Sequence, residues 1–258
     1  MSKPLIPAQR RKKIQSYLRI HKAARLVDLS KILNASEATI RRDLEKLEAT
    51  GFLERTHGGA VLSQRLSREP KYQKRLKNSP DAKRLIGQLA ATLIEDGDVV
   101  FINGGTTTTE IIRHIRPNAE ITVITNNVFA AQEIEQIGFE LILLGGTYLP
   151  VSLSVGGYFA VENLMRVYAD KTFIGVDGIS LKYGCTFPTG AEAEVVRTMM
   201  KRTRGPVYAV ADHSKWGTVS NYEVAEVEKI HTLITDEGFD SEARASLSEQ
   251  SIKVIIAG

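Results

Sequence analysis

The apolar positions of residues 1–60 recur at helical spacing and predict three short helices. One helix covers residues 9–20 and a second covers residues 27–33. The third follows Ser36, a residue type favoured at the N-cap, and stops at Gly51, which suits the position just after a helix. Its buried stripe consists of Ile40, Leu44 and Leu47.

Two short apolar stretches flank residues 57–59 and predict a β-hairpin after the third helix. Three helices followed by a hairpin form a winged helix-turn-helix, whose third helix enters the DNA major groove while the wing lies on phosphates. Two adjacent arginines, Arg41 and Arg42, face outward and have no packing role, which favours DNA binding over a scaffold function. The arginine nearer Asp43 could instead be held in an ion pair. The predicted DNA contacts are Ser36, Glu37, Thr39, Arg41, Arg42, Lys46, Arg55 and His57.

From residue 81 onward the pattern changes to short β-branched apolar runs that alternate with amphipathic helices. This alternation predicts an α/β domain with a mostly parallel sheet covered on both faces. We therefore divide the chain into a DNA-binding domain (1–62), a basic linker or exposed helix (63–80) and an α/β sensor domain (81–258). The predicted strands are 99–102, 121–125, 140–144, 171–176, 207–211, 232–235 and 253–256.

Charge is distributed unevenly along the chain, which has a net charge of +4. Residues 1–80 contain 19 Lys or Arg against 7 Asp or Glu, a net of +12, so the remainder carries −8. Such asymmetry suggests a polyanion-binding segment, or else a solvated basic face. A single cysteine, Cys185, suits the cytoplasm. Neither a secretory signal nor a membrane helix is expected.

The first predicted sensor strand is followed by a glycine and threonine run that could hold an anion. Gly104 and Gly105 allow a tight turn, and Thr106 and Thr107 offer hydroxyl and N–H groups at a helix start, where partial positive charge favours anions. The run is not a Walker loop, because no Gly-Lys-Ser/Thr follows. A helix-capping turn is the alternative interpretation.

Polar residues and glycines also follow four other predicted strands, where parallel sheets bind ligands. Lysine can offset phosphate charge, and Asp and Asn can bind sugar hydroxyls. Each residue alone could serve turn chemistry, but the repetition favours a pocket. The five histidines have no metal-site spacing, so we expect neither a metal nor a cofactor. These further candidates are Asn126, Gly145, Gly146, Asp177, Gly178, Asp212 and Lys215.

The run SEATIRRDLEKLEATGFLERTHGGAV resembles the DNA-binding signature of the DeoR/GlpR family of bacterial regulators. The motifs GTT, TN, LGG, GVDG and D-x-S-K follow in the family order, so the resemblance covers residues 8–256. It implies a sensor domain similar in fold to ribose-5-phosphate isomerase that responds to sugar phosphates. It further implies phosphate binding by Gly105, Thr106 and Thr107, and effector roles for Lys83, Asp177, Asp212 and Lys215.

We therefore expect a regulator, a repressor of a carbohydrate operon, that binds a two-fold double-stranded DNA operator as a homodimer or homotetramer. A phosphorylated small-molecule effector would shift the protein toward a state that fits DNA poorly. The alternative is a sugar-phosphate isomerase with an accessory domain, although fold alone is a poor guide to activity. RNA binding is disfavoured, because residues 1–60 lack exposed stacking aromatics.

Overall fold

A computed structural model describes residues 5–21, 23–50, 52–56, 58–62, 64–66, 71–133 and 138–258 of the chain. The predicted helix end at Gly51 and the predicted wing contact His57 lie outside these residues. Over the part of the chain that is described, no helix is both long enough and apolar enough to span a membrane.

The DNA-binding domain is a three-helix unit closed by a small antiparallel sheet in the order β1-β3-β2. Helix α3 follows α2 after a tight turn, in which Asn34 adopts a left-handed conformation with φ 47°. The Ser36 hydroxyl oxygen then accepts a hydrogen bond from the Thr39 N–H at 3.3 Å, which satisfies a free donor of the first turn. The elements are α1 (Pro7–His21), β1 (Ala23–Arg25), α2 (Leu26–Leu33), α3 (Glu37–Ala49), β2 (Leu53–Arg55) and β3 (Gly59–Leu62).

The predicted apolar stripes form the core of this domain. Ile14, Leu29 and Ile40, one from each helix, are fully buried and belong to one cluster. Strand β1 was not expected, because Ala-Ala-Arg has neither alternation nor β-branched residues. It forms through backbone pairing with β3, where Ala23 is opposite Val61.

The connector between the domains is ordered against the sensor domain over much of its length. Strand β4 (Gln64–Leu66) pairs in parallel with β14 (Thr218–Ser220), and helix α4 (Tyr72–Leu76) follows. Tyr72 is 1% exposed and Arg75 is 8% exposed. The expectation of a linker or exposed helix is therefore wrong for α4, which packs its aromatic ring and one cation inward.

The sensor domain contains a parallel sheet of seven strands in the order β17-β16-β13-β10-β5-β6-β7. The sheet and its covering helices consist of α5 (Pro80–Ala91), β5 (Val99–Ile102), α6 (Thr106–His114), β6 (Thr122–Thr125), α7 (Val128–Glu133), β7 (Glu140–Leu143), α8 (Tyr158–Leu164), β10 (Lys171–Gly175), α9 (Gly190–Lys201), β13 (Val207–Val210), β16 (Thr232–Asp236), α10 (Ser241–Glu249) and β17 (Lys253–Ala257). Consecutive residues Phe173 and Ile174 belong to different core clusters. Apart from the exposed edge strand β7, the sheet is thus buried on both faces, as the continuous apolar runs predict.

Short antiparallel strands were not expected and complete the sensor domain. They are β8 (Thr147–Leu149), β9 (Ser154–Gly156), β11 (Gly178–Ser180), β12 (Gly184–Phe187) and β15 (Tyr222–Ala225). The last three form a separate sheet in the order β11-β12-β15. Strands β5, β6 and β7 occupy one half of the main sheet, and β10, β13, β16 and β17 occupy the other half. The strand order therefore reverses between β5 and β10. Parallel sheets of this kind bind ligands at such a reversal.

Candidate effector site and nucleic-acid interface

Helix α3 presents the predicted DNA contacts on its solvent side. Arg41, Arg42 and Lys46 are exposed, as are Ser36 and Glu37, whereas Thr39 is half-buried. The hydroxyl groups of Ser36 and Thr39 lie 2.8 Å apart, so both serve the helix cap. The guanidinium groups one turn into the helix are therefore the side chains best placed to reach base edges.

The carboxylate of Asp43 is committed to helix α1. It contacts the guanidinium group of Arg10 and lies 3.5 Å from Nη1 of Arg11. The side chain of Asp43 is only 4% exposed, so these two arginines compensate a buried charge. This arrangement answers the question left open by the sequence, because the ion pair of Asp43 involves neither Arg41 nor Arg42.

The wing residue Arg55 is partly engaged with the recognition helix. Its Nη1 lies 2.9 Å from Oε1 of Glu45, and its backbone N–H donates to Oε1 of Glu48 at 3.1 Å. These bonds fix the wing relative to α3. A phosphate contact by Arg55 would compete with Glu45 for the same guanidinium group.

The wing and the start of α2 rest on helix α10 of the sensor domain. Glu242 Oε2 accepts a hydrogen bond from the Thr56 hydroxyl at 3.3 Å, and Oε1 lies 3.7 Å from Nε of Arg25. A Cβ atom at Gly58 would lie 2.7 Å from Oε1 of Glu242, so a larger residue here would require the Glu242 side chain to shift. The DNA-binding domain is therefore in direct contact with the sensor domain.

Glu54, on strand β2, is a second contact between the domains and is 5% exposed. Burial raises the pKa of its carboxyl from 4.5 to about 7, while a hydrogen bond with Ser180 and the charge of Lys182 lower it in part. Oε1 of Glu54 has no hydrogen-bond partner among the described residues. Burial of this carboxylate without full compensation disfavours its charged form.

We expect the substitution Glu54→Gln to stabilise the protein at pH 8 and to have little effect at pH 5. The unfolded chain loses the proton near pH 4.5 and the folded chain near pH 7. Stability contributed by the protonated group is therefore lost as pH rises through this window, on the order of 2–3 kcal/mol. Thermal unfolding at the two pH values measures the effect. The same substitution at exposed Glu228 is the control, and an equal change at both pH values would contradict the assignment.

The glycine and threonine run after β5 forms a small cradle at the reversal of strand order. The backbone N–H of Gly104 donates to Oδ1 of Asn126 at 2.7 Å, and the amide of Asn126 donates to the Val155 carbonyl at 2.8 Å. The carbonyl of Gly105 accepts hydrogen bonds from the hydroxyls of Thr108 and Thr109 at 3.0 and 2.7 Å. The loop is thus held rigidly while α6 begins at Thr106.

A charged cluster of Arg75, Asp177 and Lys215 lines this cradle. Oδ1 of Asp177 lies 3.2 Å from Nη1 of Arg75 and 3.8 Å from Nζ of Lys215. The three side chains are 10%, 5% and 23% exposed, in the order Arg75, Asp177 and Lys215. Two cations therefore contact this carboxylate beside the start of a helix, which is an environment favourable to an added anion.

Comparison with known families assigns both domains. A model of the DeoR C terminal sensor domain matches residues 78–237, and a model of the DeoR-like helix-turn-helix domain matches residues 10–65. The chain belongs to the DeoR family of transcriptional regulators. The resemblance inferred from the sequence motifs is therefore confirmed.

Similar members of the DeoR family align along most of their length. The HTH-type transcriptional repressor GlcR of Bacillus subtilis is 37% identical over 224 residues, which are 86% of each chain. The HTH-type transcriptional regulator GlpR of Haloferax volcanii is 32% identical over 97% of this chain and 98% of its own. These relatives are named as regulators, and the chain is a DNA-binding transcriptional regulator of this family.

Solved structures similar to this DeoR-family chain include ribose 5 phosphate isomerase A from Neisseria gonorrhoeae. The TM-score is 0.38 at 13% sequence identity, over 54% of this chain and 53% of the isomerase. The eIF2B beta subunit of Chaetomium thermophilum has a TM-score of 0.38 at 17% identity, over 58% of this chain and 43% of its own. The strand order described above, rather than this slight likeness, defines the α/β fold.

The predicted effector residues of this DeoR-family sensor divide into three groups. Those brought together around the cradle are Gly104, Gly105, Thr106, Thr107, Asp177 and Lys215. Gly145 and Gly146 do not line the cradle; they follow β7, the edge strand, which β6 separates from β5. Their role in effector binding stays a prediction, because a glycine after a strand does not reveal where that strand lies in the sheet.

Other predicted residues support the cradle without lining it. The ammonium group of Lys83 donates to the carbonyls of Arg75 and Asn78, and burial lowers its pKa to about 8. Asp212 accepts a hydrogen bond from the Ser214 N–H at 3.0 Å and shapes the turn that carries Lys215. A Cβ at Gly178 would lie 2.2 Å from the Thr218 carbonyl oxygen. These residues hold α4 and the loops in place.

Arg75 was missed as a site residue because the sequence around it is uniformly basic. Six cations lie within residues 63–80, and nothing in their order distinguishes one that is buried. The spacing of Tyr72 and Leu76 could have indicated a helix with a buried side, because it places two apolar residues on one side of a helical turn. The hydroxyl of Tyr72 lies 2.6 Å from Oγ1 of Thr109 and anchors that turn to α6.

Proposed function

We propose that this DeoR-family protein represses a carbohydrate-metabolism operon and is released from DNA by a phosphorylated sugar or a related metabolite. The observation that carries the proposal is the cradle beside Arg75 and Lys215, in the same chain as an exposed, basic recognition helix. Relatives named as a repressor and as GlpR support this class of function. The proposed site of action is the cytoplasm.

On DNA, helix α3 lies in the major groove with Arg41, Arg42 and Lys46 toward the duplex. Their exposure and the commitment of Asp43 to α1 support this orientation. Base contacts by arginine give sequence specificity, whereas the wing and the basic surface add contacts to phosphates. Arg55 contributes in this way if DNA displaces Glu45 from its guanidinium group.

The phosphate group of the effector binds at the cradle formed by residues 104–107. Gly105, Thr106 and Thr107 line that space at the start of α6, where helix N-termini favour anions, and Lys215 offsets part of the charge. Asp177 is positioned to accept hydrogen bonds from sugar hydroxyls. No cofactor and no metal enter this proposal.

The contacts of the Asp177 carboxylate favour a regulator over the isomerase alternative. Asp177 is held between two cations, where it serves an ion-pair cluster rather than proton transfer. The basic DNA-binding domain is also unexplained by an isomerase activity. Turnover of pentose phosphates by the purified protein would favour the enzyme instead.

The active form is a homodimer or homotetramer, since a two-fold operator requires two recognition helices. Exposed apolar side chains on the edge strand β7 and on α8 support self-association. Ile142 and Leu143 on the edge strand β7 are 41% and 42% exposed, and Tyr158 and Phe159 at the start of α8 are 71% and 68% exposed. A second copy that covers this region would remove apolar surface and an open strand edge from water.

Two measurements on the full chain test the proposed function. Duplex DNA from upstream of its own gene should be retarded in a gel-shift assay, and a panel of phosphorylated sugars should include one that reverses the shift. The same sugar should raise the melting temperature by roughly 5–10 °C at about 100 times its Kd. Failure to bind any of this DNA at low salt would refute the regulator, and absence of any response to the panel would refute the effector class.

A further inference from the structure

A cavity of about 480 Å³ lies between the DNA-binding domain and the sensor domain. Ala23, Val61 and Leu62 form its wall on the DNA-binding side, and the turn from His213 to Trp216 forms the wall on the sensor side. Small-molecule sites in proteins have volumes of about 300–1,000 Å³. This interdomain cavity therefore has room for a metabolite.

The cradle has much less room. It encloses about 20 Å³, close to the space of a single water molecule. A phosphate group enters it only when the surrounding side chains separate, and the rest of a sugar phosphate must lie outside it. The position of the sugar therefore depends on what adjoins the cradle.

The charged cluster is a wall shared by the two spaces. Arg75, Asp177 and Lys215 line both the cradle and the interdomain cavity. The Asp177 carboxylate contacts both cations. An incoming phosphate can replace it there, because charge-assisted hydrogen bonds to Arg and Lys repay the desolvation of the anion. Separation of this cluster joins the two spaces.

We propose that the effector spans the charged cluster, with its phosphate in the cradle and its polyhydroxyl body in the interdomain cavity. This proposal rests on the proposed function, which supplies the phosphate. Asn78 and Asp240 line the cavity and can bind hydroxyl groups. The ring of His213, whose Nδ1 lies 2.7 Å from Oδ2 of Asp236, offers a fixed polar edge.

It follows that the DNA-binding domain supplies part of the effector site. A sugar in the cavity lies against Ala23 and Leu62, which belong to the same small sheet as the wing. The ligand then distinguishes between domain arrangements by its contacts with both sides. A difference in affinity of this kind is what shifts a two-state equilibrium.

The test uses the full-length protein and the substitution Ala23→Leu, which extends a side chain into the cavity from the DNA-binding side. Ala49→Leu makes the same change on the exposed end of α3 and is the matched control. The probes are inorganic phosphate and a panel of pentose and hexose monophosphates, with affinities measured by calorimetry. Trp216 is the single tryptophan and lines the cavity, so its fluorescence reports occupancy.

For the wild type, we expect a sugar phosphate to bind at least about tenfold more tightly than inorganic phosphate and to change Trp216 fluorescence. Overpacking by Ala23→Leu should lower the affinity for that sugar phosphate by about tenfold or more. The affinity for inorganic phosphate should stay the same, which also shows that the variant is folded. Leu62→Ala is a second variant, and it should likewise lower the affinity for the sugar phosphate while leaving the affinity for inorganic phosphate unchanged.

Three outcomes are distinguishable. If neither inorganic phosphate nor any sugar phosphate binds, the proposed effector class itself is wrong, and this inference falls with it. If inorganic phosphate binds and no sugar phosphate binds more tightly, the cavity is not part of the site. If a sugar phosphate binds tightly and both cavity variants retain its affinity, the sugar lies elsewhere and the inference is overturned.

Discussion

The substitution Arg42→Ala is expected to lower the affinity for the operator by about two orders of magnitude in the assembled dimer. Arg42 is exposed on the recognition helix, and the nearby Asp43 carboxylate is bound to Arg10 and Arg11 instead. An arginine that reads a guanine contributes about 1–3 kcal/mol, and a two-fold complex contains two copies of the contact. The folded state should be unaffected, because the side chain makes no core contact.

The measurement is fluorescence anisotropy with a duplex selected from random sequences by the wild-type protein. Arg244→Ala, which removes the same charge from an exposed position of the sensor domain, is the matched control. Binding to a scrambled duplex should fall far less than binding to the selected one, since phosphate contacts dominate the nonspecific affinity. Equal affinities of the Arg42 and Arg244 variants for the selected duplex would show that α3 is not the reading helix.

The substitution Lys215→Ala is expected to leave operator binding intact and to raise the effector concentration needed for release by roughly 10–100-fold. The ammonium group is 23% exposed, lies 3.8 Å from Asp177 and lines the cradle. A hydrogen bond to a charged group contributes about 1.5–3 kcal/mol, which corresponds to this range of concentrations. The effect should be confined to the ligand, because Lys215 forms its ion pair with Asp177 of the same sensor domain.

Titration of the preformed protein–DNA complex with the active sugar phosphate measures this shift. Lys215→Arg retains a cation and should recover part of the response, whereas Lys229→Ala removes an exposed lysine and should behave as wild type. A normal release curve for Lys215→Ala would remove this residue from the effector site. A loss of operator binding would instead indicate that Lys215 maintains the contact between the domains.

The two halves of the molecule differ in how far local sequence pattern specifies them. In the DNA-binding domain, the stripe of Ile40, Leu44 and Leu47 and the cap at Ser36 determine the position and the exposed face of α3. Helical periodicity and capping depend on residues within a few positions of one another, so one sequence is enough to predict them. The pairing of Asp43 with α1 depends on contacts over more than thirty positions, and it was left open for that reason.

In the sensor domain, the apolar runs predict the strands of the parallel sheet but not their order. Each strand end contributes similar turn residues, so Gly145 and Gly146 could not be distinguished from Gly104 and Gly105. The observed order places β5 beside β10 and moves β7 to the edge. Pairing between parallel strands is decided by long-range contacts, and these determine which strand ends line the cradle.

Sequence alone determined the class of each domain, the recognition helix and the residues of the glycine and threonine run, because all of these follow from local periodicity and turn chemistry. The tertiary structure decided which strand ends meet, buried Arg75 within a basic connector and created the interdomain cavity between the DNA-binding and sensor domains. These features arise where segments distant in the chain pack together. Their formation depends on the free energy of that packing, which no short window of residues encodes.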